Sequence, residues 1–517
     1  MSDAGAPAQS NMRRNLVTVF AMTATIMQAL DTTIANVALP YMQGSLSASY
    51  DQVAWVLTSY IVAAAIATAP VGWLAERYGR KKLFIACAAG FTIASIMCGL
   101  AQSITQIVLF RVLQGIFGAA LVPLSQSVML DSYPPRQRGQ AMAIWGMGVM
   151  LGPIMGPTLG GWLTETYSWH WVFLINLPFG IVTVVGLFFF LDETPQKPNM
   201  RFDWMGFLAL SIGIGSLQLM LDRGETLGWF ESPEIIAELI VAVVGFYYFF
   251  AHSLTTSQPF IPFALFKDRN FAIGCFFMLM IGLILFSSMA LLTPFLQNLT
   301  GLPIFDAGIV IGTRGVGTFF AMMVAGRLLQ IVEARYLLFI GFFLNAVSLY
   351  EMTGFTDQTP PMTIALNGLL GGFALGMVFV PLTTVAFLTL SADLRNTGTS
   401  ILTLVRNVAS SIGISLAIAS LTSTTTAMHA RLTEHITPFN LGMQMLPSGS
   451  PLDTSTDTGR AMMDNLVNQQ ASIIAFENVF LMLMWVCIIA LPFLLLVGSS
   501  RAAMRHSGGA PQAHAMD

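Results

Sequence analysis

The sequence predicts an all-α membrane protein in which fourteen transmembrane helices form two six-helix halves with two extra helices inserted between them. Three observations support this fold class: the composition, a series of apolar runs long enough to cross a bilayer, and an internal repeat. Of 517 residues, 55% are hydrophobic and only 9% are charged, whereas soluble domains carry about 25% charged residues. This composition excludes a soluble enzyme and a disordered protein. The net charge of −3, with no basic tract, also argues against nucleic acid as a partner.

The individual spans follow from hydropathy, because a bilayer core of ~30 Å requires roughly 20 apolar residues per helix. The predicted spans are 16–38, 53–75, 83–101, 104–130, 140–163, 171–191, 204–221, 234–252, 271–296, 304–330, 336–354, 362–390, 398–421 and 474–498. The first run follows Arg13 and Arg14, as in a cleaved signal peptide, but its length and its Asp31 favour an uncleaved span.

The distribution of basic residues orients these spans. With the N-terminus inside, 17 Lys and Arg residues lie on the cytoplasmic side, 3 lie outside and 3 lie within spans. Such asymmetry is expected of a membrane protein, and an even number of spans places both termini in the cytoplasm.

An internal repeat divides the chain. Residues 72–85 resemble 326–340, and residues 118–124 resemble 376–382, at offsets of 254 and 258. Parallel halves of even span number are therefore predicted. The predicted organisation is a cytoplasmic tail (1–15), an N-terminal half (16–191), a linker with two extra helices (192–270), a C-terminal half (271–498) with a long periplasmic loop (422–473), and a second cytoplasmic tail (499–517).

Charged residues inside the spans mark candidate functional sites, since each costs at least ~2.5–3.5 kcal/mol to insert. Asp31 lies roughly 21 Å into span 1, and Arg111 lies roughly 10 Å from the outer end of span 4, so the two share a depth. They could pair or face one cavity. An acid that alternates between paired and protonated states is a natural proton carrier, whereas a structural ion pair or helix clamp is the alternative.

Two further arginines, Arg314 and Arg406, fall within spans of the second half. They either face the same pathway or serve as snorkelling or helix-clamping residues. The excess of intramembrane Arg over Asp favours neutral or anionic amphipaths as substrates, rather than strongly cationic drugs.

Span 5 carries glycines spaced four residues apart, which line one helix face and permit close helix contact, while two prolines permit a kink. The motif consists of Gly148, Gly152, Pro153, Gly156, Pro157, Gly160 and Gly161. Ordinary membrane packing is the alternative interpretation, but the full series indicates a helix that bends or slides.

The loop after span 2 combines a turn, an acid and a basic cluster. Its candidate gate residues are Gly72, Glu76, Arg77, Gly79, Arg80 and Lys81. Positive-inside anchoring explains part of this pattern. The sharper hypothesis is a cytoplasmic gate in which Glu76 pairs with the neighbouring basic residues in one conformation only.

These motifs carry a family resemblance. Residues 72–81 are similar to the loop 2–3 motif of the major facilitator superfamily, with Glu76 in place of its usual Asp. Residues 111–115 resemble its span-4 motif, and span 5 resembles its antiporter motif. Residues 30–40 and 171–180 are typical of its fourteen-span drug:proton antiporter branch, and within that branch the chain resembles the EmrB-type multidrug efflux pumps.

The resemblance implies several roles. Asp31 and Arg111 would couple to protons, and the substrate pathway would include Asn36, Gln114 and Asn176. Arg314 and Arg406 lie outside the matching motifs and are candidates for the same pathway only by their position within spans. It implies a bacterial inner-membrane exporter of small hydrophobic drugs, driven by the proton gradient without a bound cofactor. The partners implied are a periplasmic membrane-fusion adaptor of the EmrA type and an outer-membrane channel of the TolC type. The loop 422–473 would be the docking surface for the adaptor, or else a flexible tolerated insertion.

Other function classes find less support. The chain has no intramembrane cluster of catalytic groups, no filter loop, no nucleotide-binding P-loop and no metal-ligand spacing, and its four cysteines lie in apolar runs. An enzyme or a channel is therefore not expected, and the span-5 motif argues against an importer. The remaining alternative is a stand-alone exporter of a specific metabolite, fatty acid or organic acid without adaptor partners.

Overall fold

A computed structural model describes residues 11–48, 50–134, 137–197, 200–256, 259–437, 440, 452 and 455–496. These residues are helical or irregular, with no strand among them. Most of both predicted tails, and residues 441–451 of the predicted periplasmic loop, lie outside the described part.

The helices of the N-terminal part begin with the longest one, and three of its spans consist of two consecutive helices each. They are α1 (Asn11–Ser45), α2 (Tyr50–Thr68), α3 (Val71–Tyr78), α4 (Arg80–Gly99), α5 (Ile104–Gly118), α6 (Leu121–Ser132), α7 (Arg138–Thr166), α8 (Trp171–Leu174) and α9 (Asn176–Phe190). Helices α2 and α3 meet at a bend of 54°. The bend falls at Pro70, which precedes α3 and cannot donate a backbone hydrogen bond.

The middle of the chain and the C-terminal part follow the same all-helical plan. The inserted hairpin is α10 (Trp204–Arg223) with α11 (Pro233–Thr255), and a short α12 (Ala264–Lys267) follows. The C-terminal helices are α13 (Arg269–Pro294), α14 (Ile304–Leu328), α15 (Ala334–Met352), α16 (Pro361–Ala386), α17 (Arg395–Thr433) and α18 (Asp457–Phe493). Asp203 and Asp268 cap α10 and α13 by accepting backbone N–H bonds, as expected for N-cap residues.

Within the described residues, eleven helices are long and apolar enough to cross a membrane, and the bent pair α2–α3 raises the number to twelve. The chain is therefore a multi-pass membrane protein. The two predicted spans beyond this number, 140–163 and 336–354, coincide with α7 and α15.

The helices pack in two groups with the same order of neighbours. In the N-terminal group α1 packs on α7, α2 on α5 and α4 on α9. In the C-terminal group α13 packs on α17, α14 on α16 and α15 on α18. The groups meet where α7 contacts α14 and where α17 contacts α3 and α6, and α10 of the inserted hairpin packs on both α2 and α17.

The predicted connection 422–473 is helical at both ends. Helix α17 continues to Thr433 and α18 begins at Asp457, so the predicted spans are extended by helix on either side of its middle. Hydropathy marks where a helix leaves the bilayer, not where it ends, and a polar stretch can continue the same hydrogen-bonded ladder.

Candidate functional site

A buried ion pair joins α1 to α5. Arg111 Nη1 lies 2.7 Å from Asp31 Oδ2, and the side chains are 1% and 0% exposed. The helical rise predicts that the two residues share a depth, and the structure places them in direct contact. Two opposite charges so placed are each costly alone and compensate each other in contact.

A shell of amides completes this pair. Gln114 Nε2 and Asn176 Nδ2 donate to Asp31 Oδ1 over 2.7 and 3.0 Å. Arg111 also donates to Gln114 Oε1 over 2.8 Å. Both amide side chains are fully buried. Gln114 and Asn176, assigned at the sequence level to the substrate pathway, are thus direct partners of the buried acid.

Helices α2 and α4 supply partners that the sequence analysis missed. Arg111 Nε donates to the Val56 carbonyl over 3.0 Å, and the guanidinium carbon lies 4.2 Å from the centroid of the Tyr60 ring. Asn176 Nδ2 also donates to Ser95 Oγ over 3.0 Å. Polar residues inside apolar runs were the available signal, but their facing directions depend on how α2 and α4 pack.

Asn36 does not join this cluster. It is exposed on α1, five residues beyond Asp31, and has no hydrogen bond to the described residues of the cluster. An offset of five residues rotates a side chain well away from the face that carries Asp31. Its predicted place in the substrate pathway is separate from the ion pair.

Arg314 is a buried base in the second half, with 7% of its surface exposed. It donates to Ser288 Oγ over 2.9 Å and lines a small cavity together with Met150 of the other half. Its Nε has no hydrogen-bond partner in the described part of the chain. No ion pair to Arg314 occurs among the described residues, so its guanidinium group has N–H donors left for a further partner.

Arg406 lies on α17, and its Nη2 donates a long hydrogen bond of 3.5 Å to Oδ1 of the adjacent Asn407. Its Nε is also without a partner among the described residues. The two arginines therefore do not repeat the acid–base arrangement of the N-terminal half.

The predicted gate loop makes different ion pairs from those expected. Glu76 pairs with Lys197 of the linker at 3.0 Å rather than with the basic residues beside it. Arg77 donates to the Met200 carbonyl over 2.8 Å, and the backbone N–H of Lys81 donates to Glu193 Oε1 over 3.0 Å. Arg80 and Lys81 are separated from Glu76 by the turn at Gly79, whose φ is +94°.

Asp131, at the end of α6, connects the two halves. Its carboxylate accepts from Arg80 over 2.5 Å and from Arg395, at the start of α17, over 2.6 Å. Ser127 donates to Asn396 over 2.5 Å one turn away. Arg80 is a predicted gate residue, whereas Asp131 and Arg395 were not predicted, since their 264-residue separation gives no local signal.

Close backbone approach supports the same contact. A Cβ added at Gly72 would lie 2.6 Å from Thr397 Cα, so only glycine permits α3 and α17 to touch there. Thr397 Oγ1 also reaches Glu76 Oε1 at 3.5 Å. Glycine at position 72 therefore brings the gate loop against the other half.

The glycines of span 5 face α1. A Cβ at Gly148, Gly152, Gly156 or Gly160 would overlap Met22, Ala29, Thr33 or Ile34 respectively. Gly161 faces open space, so it does not belong to this contact. Pro153 and Pro157 lie in α7, and their side chains are outside the described part of the structure.

The paired helix bundles, the buried ion pair and the contacts between halves at one end define a membrane transporter built from two halves. The chain belongs to the Major Facilitator Superfamily, whose profile matches residues 21–414. It is 37% identical over 472 residues to the multidrug export protein EmrB of Escherichia coli (strain K12), covering 90% of this chain and 92% of EmrB. It is 35% identical over 492 residues to the fatty acid resistance protein FarB of Neisseria gonorrhoeae, covering 94% and 96%.

Solved structures share the fold. A bacterial homologue of the human lysosomal transporter Spinster, inward-facing and unoccupied, gives a TM-score of 0.54 at 19% identity, covering 96% of this chain and 98% of the other. The human organic anion transporter MFSD10 gives 0.57 at 14% identity, covering 93% and 100%.

Proposed function

We propose that this protein is a proton-driven multidrug exporter of the bacterial inner membrane. The observation that carries the proposal is the buried Asp31–Arg111 pair, a proton-accepting group held by a cation in the middle of a span. The names of two similar proteins, a multidrug export protein and a fatty acid resistance protein, support export as the direction. The family consists of transporters, and the proton gradient would supply the energy for export without a bound cofactor.

Asp31 would carry the proton. Protonation turns its carboxylate into a neutral acid, which ends the ion pair and leaves Arg111 buried without a counter-charge. That state is costly, so the helices that hold the two residues would rearrange until Arg111 finds another partner or water. Loss of the proton on the cytoplasmic side would restore the pair.

Alternating access would use the contacts between halves. In this structure Asp131–Arg395 and Gly72–Thr397 hold the predicted cytoplasmic ends together. Rocking of one half against the other would break them and open the substrate pathway inward. The order of helix packing in the two groups supports the predicted parallel repeat, and helices α7 and α15 support fourteen spans with both termini in the cytoplasm.

The test uses purified protein in liposomes with an imposed pH gradient and two fluorescent substrates, the cation ethidium and the anion dansyl-labelled undecanoic acid, because the intramembrane arginines favour neutral or anionic amphipaths. Asp31→Asn is expected to stop gradient-driven movement of each substrate that the wild-type protein transports, while binding of that substrate remains detectable. Glu351→Gln is the matched control, because Glu351 is also an acid that accepts from an amide, Asn367, at 2.9 Å, but it lies in the other half. Uphill transport by Asp31→Asn at the wild-type rate would overturn the proposal.

We also propose an EmrA-type adaptor and a TolC-type channel as partners. At 1.5 Å per residue, the 39 residues of α17 and the 37 of α18 extend about 55–58 Å, well beyond a ~30 Å core. Their outer ends lie side by side, since His429 Nε2 lies 2.9 Å from Asp464 Oδ1. The docking surface would therefore be a projecting helix pair.

The exposed apolar side chains on this projection, Met462 at 45% and Leu466 at 42%, lie one helical turn apart and are the expected adaptor contact. Changing both to Glu should abolish drug resistance in cells and leave ethidium transport in liposomes intact. The double variant Asn465→Glu with Asn468→Glu adds the same two charges on exposed polar sites and should retain both activities. Loss of liposome transport with the double variant would instead indicate a folding role.

A second candidate is export of a specific acidic amphipath, such as a fatty acid, without an adaptor. The buried Arg314 with its unpartnered Nε favours a carboxylate in the pathway. Arg314→Gln should then reduce transport of dansyl-labelled undecanoic acid more than transport of ethidium. Equal losses for both substrates would assign Arg314 a structural role.

A further inference from the structure

A cavity of about 590 Å³ lies at the predicted cytoplasmic face, where the gate loop, the linker on either side of the inserted hairpin and the start of α17 meet. Its volume falls in the range of small-molecule sites, roughly 300–1,000 Å³. The cavity is separate from the Asp31 cluster and from Arg314. Trp73, Met200 and Phe260 give it an apolar wall, and four charged residues complete it.

The acids of this cavity are already occupied. Asp203 accepts from Gly206 N–H at 2.9 Å, from Phe260 N–H at 3.0 Å and contacts His252 Nε2 at 2.8 Å. Burial raises the pKa of Asp203, but these hydrogen bonds outweigh that effect and the net pKa lies below its ordinary value. Glu76 is likewise engaged by Lys197.

The bases have capacity left. Arg201 is exposed, and no hydrogen bond or ion pair to it occurs among the described residues, so its five N–H donors are free for a ligand. Lys197 Nζ has three donors, and its contact with Glu76 Oε2 uses one of them. What the cavity offers a ligand is therefore the unused N–H donors of two bases beside an aromatic wall, since its two acids already accept from protein donors.

We propose that this cavity binds an anionic amphipath, with its phosphate or carboxylate on Arg201 and Lys197 and its apolar body against Trp73 and Phe260. Both halves of the protein line the site, because Trp73 belongs to α3 whereas Leu394 and Thr397 adjoin or belong to α17. An occupant would bridge the halves and stabilise the state that is closed to the cytoplasm. A lipid headgroup and a soluble amphipath share this chemistry.

The binding test uses the full chain in phosphatidylcholine nanodiscs and titrates octyl phosphate by calorimetry, with octyl glucoside as the neutral analogue. Octyl phosphate is expected to bind and octyl glucoside is not. Arg201→Gln should weaken octyl phosphate binding about tenfold, since one charged hydrogen-bonding partner is lost. Lys82→Gln removes an exposed charge on the same face outside the cavity and should leave the affinity unchanged.

Equal binding of octyl glucoside, or equal effects of the two substitutions, would overturn the proposal. Repeating the titration in the Asp31→Asn background keeps it independent of transport, since binding should persist where transport is lost. Nanodiscs containing phosphatidylglycerol distinguish the sources. Competition with octyl phosphate assigns the cavity to a lipid headgroup, and unchanged affinity assigns it to a soluble amphipath.

Discussion

Asp131 offers the sharpest test of the gate, because one carboxylate holds an arginine from each half. Asp131→Asn keeps the shape of the side chain and removes its charge. The contact with Arg80 lies within one half and persists through a rocking motion, whereas the contact with Arg395 crosses between halves. Only the second contact therefore separates the closed state from the open one.

The structure sets the size of the effect. The side chains of Asp131 and Arg395 are 30% and 14% exposed, so the pair is partly shielded from solvent. Its free energy should therefore lie between that of an exposed ion pair, ~0.2–1 kcal/mol, and that of a hydrogen bond to a charged group, ~1.5–3 kcal/mol. We therefore expect Asp131→Asn to disfavour the closed state by about 1–2 kcal/mol, a shift of roughly 5–30-fold in the ratio of closed to open molecules. The direction is toward the open state, since Arg395 is left without its charged partner.

The assay is a spin-label distance measurement between Gln140→Cys on α7 and Tyr336→Cys on α15. Both positions are exposed, and the four native cysteines are buried, so labels attach at the introduced sites. Asp192→Asn is the matched control, because it removes an ion pair to Arg13 at 2.5 Å that joins the start of α1 to the chain just after α9 and does not reach the C-terminal half. An unchanged distance distribution in Asp131→Asn, or an equal shift in Asp192→Asn, would refute the gate argument.

Three further predictions test other parts of the structure. Gly156→Ala should lower thermal stability and transport, at a cost of about 1–3 kcal/mol for overpacking against α1, whereas Gly161→Ala should be silent in both measurements because it faces open space. The hydrogen bond that Lys197 donates to Glu76 raises the pKa of Lys197, so this pair contributes stability below the ordinary lysine pKa and loses it as pH rises through the raised value. The spin-label distances should therefore stay constant from neutral pH to about pH 9. Glu193→Ala should lower the melting temperature by a loss of about 1 kcal/mol, because this carboxylate accepts from the first backbone N–H groups of α4.

The sequence was sufficient to predict the contact between Asp31 and Arg111 but not the contact between Asp131 and Arg395, and the reason is physical. Asp31 and Arg111 are placed by the helical rise alone, since each depth depends only on the distance to its own span end. Asp131 and Arg395 are placed by the packing of α6 against α17, which no local pattern encodes. Glu76 shows the same limit, because its partner came from a linker 121 residues away rather than from the adjacent bases.

The extent of the outer helices illustrates a second limit. Apolar runs locate the bilayer, so residues 398–421 and 474–498 were predicted as spans and the stretch between them as a loop. Helical structure is instead governed by backbone hydrogen bonds and by the absence of breaking residues. Hydropathy and helicity therefore diverge wherever a helix leaves the membrane, and this is where the projecting pair lies.

Two spans, each made of two consecutive helices, connect the buried Asp31–Arg111 pair to the gate residues. The span of α5 and α6 carries Arg111 near one end and Asp131 at the other, and 20 residues of helix separate them by about 30 Å. The span of α2 and α3 likewise carries Tyr60 against Arg111 and Glu76 at the gate. A change at Asp31 that releases Arg111 would therefore act on both spans whose far ends contact α17. The 54° bend between α2 and α3 gives that span a joint at which such a movement changes direction, so protonation in one half can bias the contact between halves without any movement of the second half's own charges.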